Sequence, residues 1–201
     1  MRRVRTLDGK VSPARPPAGC RYVETIDLAR DRRQMKIVFA ISAALLVGGI
    51  AYGLWQHRPN LAAFSPLKLL AAAVLSSLYI PLHELTHGAA MYALSGVKPR
   101  YGLKLPYAYA GSDAWFSRRA HALIALLPAC LWGAALFAAE RAVPREWYWA
   151  FFLVQLSNLS GSAGDFYCVW HLASLPGELY VRDSGVRMRV VVRDQLTKES
   201  A

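Results

Sequence analysis

Apolar residues are grouped into four long blocks separated by short polar stretches, and are not spread evenly along the chain. The blocks run over residues 37–55, 67–94, 120–139 and 147–172. A helix needs about 20 mostly apolar residues to cross a bilayer, and each block is of that order. The pattern therefore predicts an all-α membrane protein with about four transmembrane helices.

The polar connections predict small β-elements beside these helices. Residues 102–110, in the longest connection between blocks, alternate partly and are rich in β-formers, which favours a short strand or hairpin at the membrane surface. After the last block, residues 178–193 consist of two strand-like runs around Asp183-Ser-Gly185. That arrangement predicts a second hairpin, turning at the glycine.

These elements predict a single membrane domain with small appendages. Residues 1–23 form a basic segment rich in Arg, Pro and Gly, which is typical of a disordered tail. Residues 24–175 hold the four spans, and residues 24–36 are expected to form a short amphipathic lead-in to the first span. Residues 176–201 are a second tail, which carries the predicted C-terminal hairpin.

The distribution of positive charge predicts the orientation. The net charge is +11, and 20 of the 24 Lys and Arg residues precede the first block, lie between the second and third, or follow the fourth. By the positive-inside rule, that side and both termini are cytoplasmic. We therefore expect a multi-pass protein of the inner or plasma membrane whose surroundings are the lipid bilayer, with no nucleic-acid partner. The three cysteines have no paired spacing, so no disulfide is expected.

The second block contains the one strong chemical motif, His83-Glu84-Leu85-Thr86-His87. Histidines four residues apart on a helix lie on one face and can bind one metal ion. Glu84 projects beside that ion, where it can take a proton from a bound water. Three ionisable residues within a span are costly and indicate function. The alternative is a polar cluster that only bonds neighbouring helices together.

Asp165 is the best candidate for a third ligand, because it is the only acidic residue in the fourth block. A catalytic zinc usually takes three protein ligands and leaves a fourth position for water. His87 and Asp165 each lie seven residues before the end of their block, so they are expected at similar depth. Small residues at 161–164 and 88–90 are expected to let the two helices pack closely. Alternatively, Asp165 is a buried carboxylate paired with other polar groups.

Other polar residues of the spans admit more than one role. Asn158 lies on the same predicted helix face as Asp165, and can hydrogen-bond either a bound substrate or the neighbouring helix. His121, His171 and Cys168 are rival metal ligands, although both histidines fall near predicted membrane interfaces. Two histidines and a carboxylate suit zinc, but also iron or manganese.

The His-Glu-Leu-Thr-His-Gly run, a Pro-Tyr-Ala-Tyr loop and the later Asn158 to Gly-Asp165 segment resemble the bacterial putative zincin peptidase family. The resemblance covers roughly residues 24–192 and extends, more distantly, to the site-2 proteases. It implies an intramembrane zinc enzyme in which His83, His87 and Asp165 hold the metal and Glu84 is the catalytic acid and base. The chain lacks the prolines and the Leu-Asp-Gly of the site-2 pattern.

Together these features predict a zinc metallopeptidase that hydrolyses peptide bonds at or within the membrane, near its cytoplasmic side. Its substrate is expected to be a membrane protein or peptide, which residues 102–110 can bind as an added strand. Two other classes of protein are alternatives. One is a non-enzymatic membrane protein with a structural metal or polar cluster. The other is a metal transporter, which is disfavoured because the first and third blocks hold essentially no ionisable residues.

Overall fold

Three long helices dominate the computed structural model, which describes residues 15–57, 64–104, 107–185 and 187–194. They are α1 (Arg32–Gln56), α2 (Pro66–Ser95) and α3 (Arg118–Ala142). Each is long and apolar enough to cross a membrane. The first three predicted spans are confirmed as helices of this kind.

The fourth predicted span is divided into two shorter helices. They are α4 (Tyr148–Gly161), which follows a 3₁₀ turn, and α5 (Ala163–Ser174), with Ser162 between them. The hydroxyls of Ser157, Ser160 and Ser162 donate to the carbonyls four residues earlier. Such bonds bend helices, and Gly161 adds backbone freedom at the same place. The expectation of one continuous helix through this block is therefore wrong.

Helix α1 packs along one side of α4 and α5 and leaves its other side exposed. Gly49 and Gly53 allow this approach, since a Cβ on Gly49 would lie 2.2 Å from Leu156 and one on Gly53 would lie 2.5 Å from Phe152. The opposite side presents Val47 and Trp55, the latter 78% exposed. Exposed apolar side chains on a helix of this length are what a lipid-facing surface requires.

Both predicted hairpins are confirmed. Strands β2 (Arg100–Lys104) and β3 (Tyr107–Gly111) are paired antiparallel in a two-stranded sheet. Near the C-terminus, β5 (Leu179–Asp183) and β6 (Met188–Arg193) are paired antiparallel on either side of Gly185. Gly185 has φ +82°, a backbone conformation that glycine adopts without strain.

The second hairpin belongs to a four-stranded sheet of order β1-β6-β5-β4. Its outer strands are β1 (Cys20–Ile26) and β4 (Phe116–Ser117), and neither was predicted. The sheet buries an apolar cluster together with α5. The members of that cluster are Ile26, Leu172, Leu179, Val181, Val190 and Val192.

The segment before the first span differs from its prediction. Residues 20–26 form β1 where a disordered tail and then an amphipathic lead-in were expected. The helix begins only at Arg32, because the Asp31 carboxylate caps it by accepting from the backbone N–H groups of Arg33 and Gln34 at 2.8 and 3.1 Å. The first 14 residues of the predicted tail lie outside the described residues.

Candidate metal centre

Helix α2 places His83 and His87 one turn apart on its buried face. Each side chain belongs to a residue that is 8% exposed, although the helix carries many exposed apolar residues on its other faces. The two Nε2 atoms lie 3.0 Å apart, and the rings are arranged edge to face. The four-residue spacing thus brings both imidazoles to one point.

Asp165, in the first turn of α5, lies next to the two histidines. Its Oδ2 lies 3.2 Å from Nε2 of His83, and its Oδ1 lies 3.5 Å from Nε2 of His87. One ligand atom from each of the three residues can be chosen so that all lie within 4.8 Å of one another. The structure therefore brings together the three residues that the sequence predicted as metal ligands.

The donor set fits a catalytic zinc ion. Two ligand atoms at about 2.05 Å from zinc, separated by the tetrahedral angle, are about 3.3 Å apart. The three separations of 3.0, 3.2 and 3.5 Å bracket that value. Three protein donors also leave one tetrahedral position for water or substrate. The residues present can hold the metal without further ligands.

The backbone of α3 orients one of the imidazoles. Nδ1 of His87 lies 2.9 Å from the carbonyl oxygen of Ile124, which can only accept a hydrogen bond. Nδ1 therefore carries the hydrogen, and the lone pair of Nε2 faces the other two donors. A partner behind the ring is the usual way in which a protein fixes a metal-binding histidine.

Glu84 lies beside this group and is not one of its three members. The side chain is half-buried and lines the same cavity as the histidines. Its carboxylate interacts with the backbone amide of Ala110 in β3. The carboxylate thus lies between the three candidate ligands and the strand of the first hairpin.

Close backbone contacts hold that hairpin against the site. A Cβ on Gly88 would lie 2.1 Å from the hydroxyl of Tyr101, so the tyrosine of β2 packs directly on α2. A Cβ on Gly111 would lie 2.3 Å from the backbone of Ser184 in the β5–β6 turn. Between α2 and α3, Asp113 joins the two hairpins through Arg182 and Arg100, and its hydrogen bond to Arg182 is the main cause of its lowered pKa.

The predicted close packing of Gly88 against Gly161 and Gly164 is wrong. Gly88 faces Tyr101, as described above. A Cβ on Gly161 would meet no atom within 4 Å, and one on Gly164 would meet Leu28 at 3.7 Å. These two glycines line the cavity, where the absence of a side chain leaves room beside Asp165.

The cavity in front of the three ligands has a volume of about 330 Å³. Apolar residues from α1 and from the segment before it form one wall, among them Leu28, Val38 and Phe39. Asp183 of β5 also lines it, and burial raises the pKa of that carboxyl to about 6 even though the backbone N–H of Gly185 donates to it at 2.7 Å. The site can admit a small apolar segment next to polar, metal-binding groups.

The remaining candidates lie outside the ligand group. His121 and Cys168 line the cavity, and Nε2 of His121 lies 3.2 Å from the sulfur of Met188. His171 is 2.6 Å from a carboxylate oxygen of Glu24 in β1, away from the ligands. Asn158 is 0% exposed and bonds Tyr79 of α2 and the carbonyl of Ala129. Tyr79 was not predicted, although its spacing of four residues before His83 signals a shared helix face.

Comparison with protein families agrees with this geometry. The family described as putative zincin peptidase matches residues 76–180, which include the whole of the site. No curated protein and no solved structure matched the chain. Because the family match covers just over half of its length, the chain belongs to the putative zincin peptidase family.

Proposed function

We propose that the protein is a membrane-embedded zinc metallopeptidase that hydrolyses peptide bonds at or within the membrane, near its cytoplasmic side. The observation that carries this proposal is the convergence of His83, His87 and Asp165 beside Glu84, in helices of which α2 is apolar enough to cross a membrane. Ionisable groups within a span are costly and are retained for function. The family to which the chain belongs supports hydrolysis as that function.

In this proposal each residue has a defined task. His83, His87 and Asp165 hold the ion, which when bound supplies a Lewis acid for the peptide carbonyl and for water. Glu84 takes the proton of the attacking water and later gives it to the nitrogen of the leaving amine. The carboxylate is suited to this task because it adjoins the ligands without belonging to them.

The free edge of β3 supplies a binding site for an extended substrate. The amide of Ala110 interacts with Glu84, so it points away from β2, and Ala108, two residues earlier, turns its N–H to the same edge. Further along this edge, the N–H of Ser112 donates to the carbonyl of Asp183 at 2.7 Å. Among the described residues, Ala108 makes no backbone hydrogen bond outside its hairpin. A membrane protein or peptide can therefore pair with β3 directly in front of Glu84.

Proline at position 108 tests this mode of substrate binding. Proline is tolerated where a strand N–H does not enter the ladder, so Ala108→Pro removes only the donor offered to the substrate. We expect the rate of cleavage to fall about 10-fold, because one hydrogen bond to the substrate is lost. Zinc content should stay unchanged. Ala108→Val keeps the N–H and is the control. Equal cleavage by both variants would contradict pairing with β3.

The orientation of the chain follows from its charge. We propose four membrane crossings, with the broken pair α4 and α5 together forming the fourth and both termini in the cytoplasm. The Lys and Arg residues before α1, between α2 and α3, and after α5 support this arrangement. It places the four-stranded sheet and the β2–β3 hairpin on the cytoplasmic side, and the site near that surface.

Removal of the metal tests the proposed activity itself. The purified protein in detergent is mixed with detergent-solubilised membrane proteins, and new amino termini are counted by mass spectrometry. Treatment with 1,10-phenanthroline is expected to lower their number at least ~100-fold, because the ion stabilises the transition state by several kcal/mol. One equivalent of zinc should restore it. Cleavage that persists in protein stripped of metal would refute the proposal.

A further inference from the structure

A chain of buried polar side chains leads from α4 to the back of His83. The hydroxyl of Tyr79 lies 2.6 Å from Nδ1 of His83 and 2.5 Å from Oδ1 of Asn158. Tyr79 and His83 are each 8% exposed, and Asn158 is 0% exposed. Groups buried to this extent keep their hydrogen-bond partners, since losing one leaves an unsatisfied polar atom.

The bonds of Asn158 fix the direction of this chain. Its Nδ2 lies 3.2 Å from the carbonyl oxygen of Ala129, which can only accept, so the amide nitrogen must point there. Oδ1 therefore faces Tyr79 and accepts from its hydroxyl. Because a hydroxyl has one hydrogen, the oxygen of Tyr79 is left to accept from Nδ1–H of His83. The lone pair of Nε2 then faces Asp165 and His87.

The two metal-binding histidines are thus oriented in different ways. His87 is held by the backbone carbonyl of Ile124, which no side-chain substitution removes. His83 is held by a side chain one helical turn earlier, with the two rings edge to face at 5.5 Å between centroids. Of the two supports, only the Tyr79 hydroxyl behind His83 can be deleted by removing a single oxygen atom.

We infer that Tyr79 is a positioning residue, which fixes the tautomer and orientation of His83 for metal binding, and that Asn158 acts on the site through Tyr79. This inference rests on the proposed zinc site. It favours helix bonding over substrate binding as the role of Asn158, since the residue is 0% exposed and both its Oδ1 and its Nδ2 are engaged by neighbouring protein groups. Removing the hydrogen-bond partner of a metal-binding histidine typically lowers metal affinity about 10–100-fold.

Zinc affinity of Tyr79→Phe, measured by competition with a chromophoric chelator, tests the inference. We expect binding to weaken about 10–100-fold. We also expect the visible spectrum of the cobalt-substituted protein to change, because the imidazole of His83 is free to turn. Tyr92→Phe, on the exposed part of the same helix, is the matched control and should equal the wild type. Wild-type affinity and spectrum in Tyr79→Phe would overturn the inference, even with a lowered melting temperature.

Two further variants complete the design. If Asn158 acts through Tyr79, Asn158→Ala weakens zinc binding in the wild type but has little further effect in Tyr79→Phe. Additive losses of zinc affinity in the double variant would overturn the role of Asn158. His83→Ala separates failure of the inference from failure of the site. Zinc bound by the wild type and lost in His83→Ala, with Tyr79→Phe unchanged, rejects only the positioning role. Equal binding in all three would reject the metal site, and the inference with it.

Discussion

Replacing His83 or Asp165 with alanine is expected to reduce bound zinc from one ion per chain to a small fraction of that. Each substitution removes one of three donors, whose ligand atoms lie within 4.8 Å of one another on two different helices. The loss of zinc affinity should exceed the ~10–100-fold loss that follows from removing a hydrogen-bond partner of a ligand. Metal content is measured by mass spectrometry of protein purified in detergent, wild type and variants side by side.

Two histidines outside the ligand group serve as controls for this prediction. His121→Ala alters a buried imidazole that lines the same cavity, and His171→Ala alters one on the same helix as Asp165. Both variants should keep zinc, because neither side chain belongs to the group that can hold the ion. Loss of zinc from His121→Ala, with Asp165→Ala unchanged, would show that the third ligand has been assigned to the wrong residue.

The grouping of the three candidate ligands was predictable because the cost of polarity within a membrane is a local property of sequence. His83 and His87 follow from one helical spacing, and Asp165 from being the only acidic residue of its block. The break at Ser162 did not spoil this prediction. Ser162 keeps helical hydrogen bonding on both sides, since its N–H donates to Asn158 and its carbonyl accepts from Phe166. Asn158 and Asp165 therefore still face α2.

The elements that surround the ligands could not be predicted in the same way. Strand β1 is stabilised by pairing with β6, a partner about 170 residues away whose register no local pattern reveals. Gly88 suggested contact between helices, but its space is filled by Tyr101 from β2. A small residue in a helix indicates that another element packs closely there, but not which element it is. Tyr79 was overlooked because a tyrosine in an apolar block looks like any other core residue.

Substituting Glu84 with glutamine is expected to lower the rate of cleavage by about 10²–10⁴-fold while zinc content stays at the wild-type level. Glutamine has the same shape and can still accept from the amide of Ala110, so the hairpin should keep its place. It cannot take a proton from water, which is the task assigned to the carboxylate. Cleavage is followed as new amino termini, and zinc by mass spectrometry, on the same preparations.

This variant also separates the enzyme from a membrane protein in which the metal only joins helices. Such a scaffold requires His83, His87 and Asp165 but has no use for a base beside them, so Glu84→Gln should leave it unchanged. Glu140→Gln, a like substitution near the far end of α3, is the matched control and should retain full cleavage. Activity in Glu84→Gln equal to that of Glu140→Gln would exclude Glu84 as the base. A loss confined to Glu84→Gln, with zinc still bound, would support proton transfer at that carboxylate and exclude the scaffold.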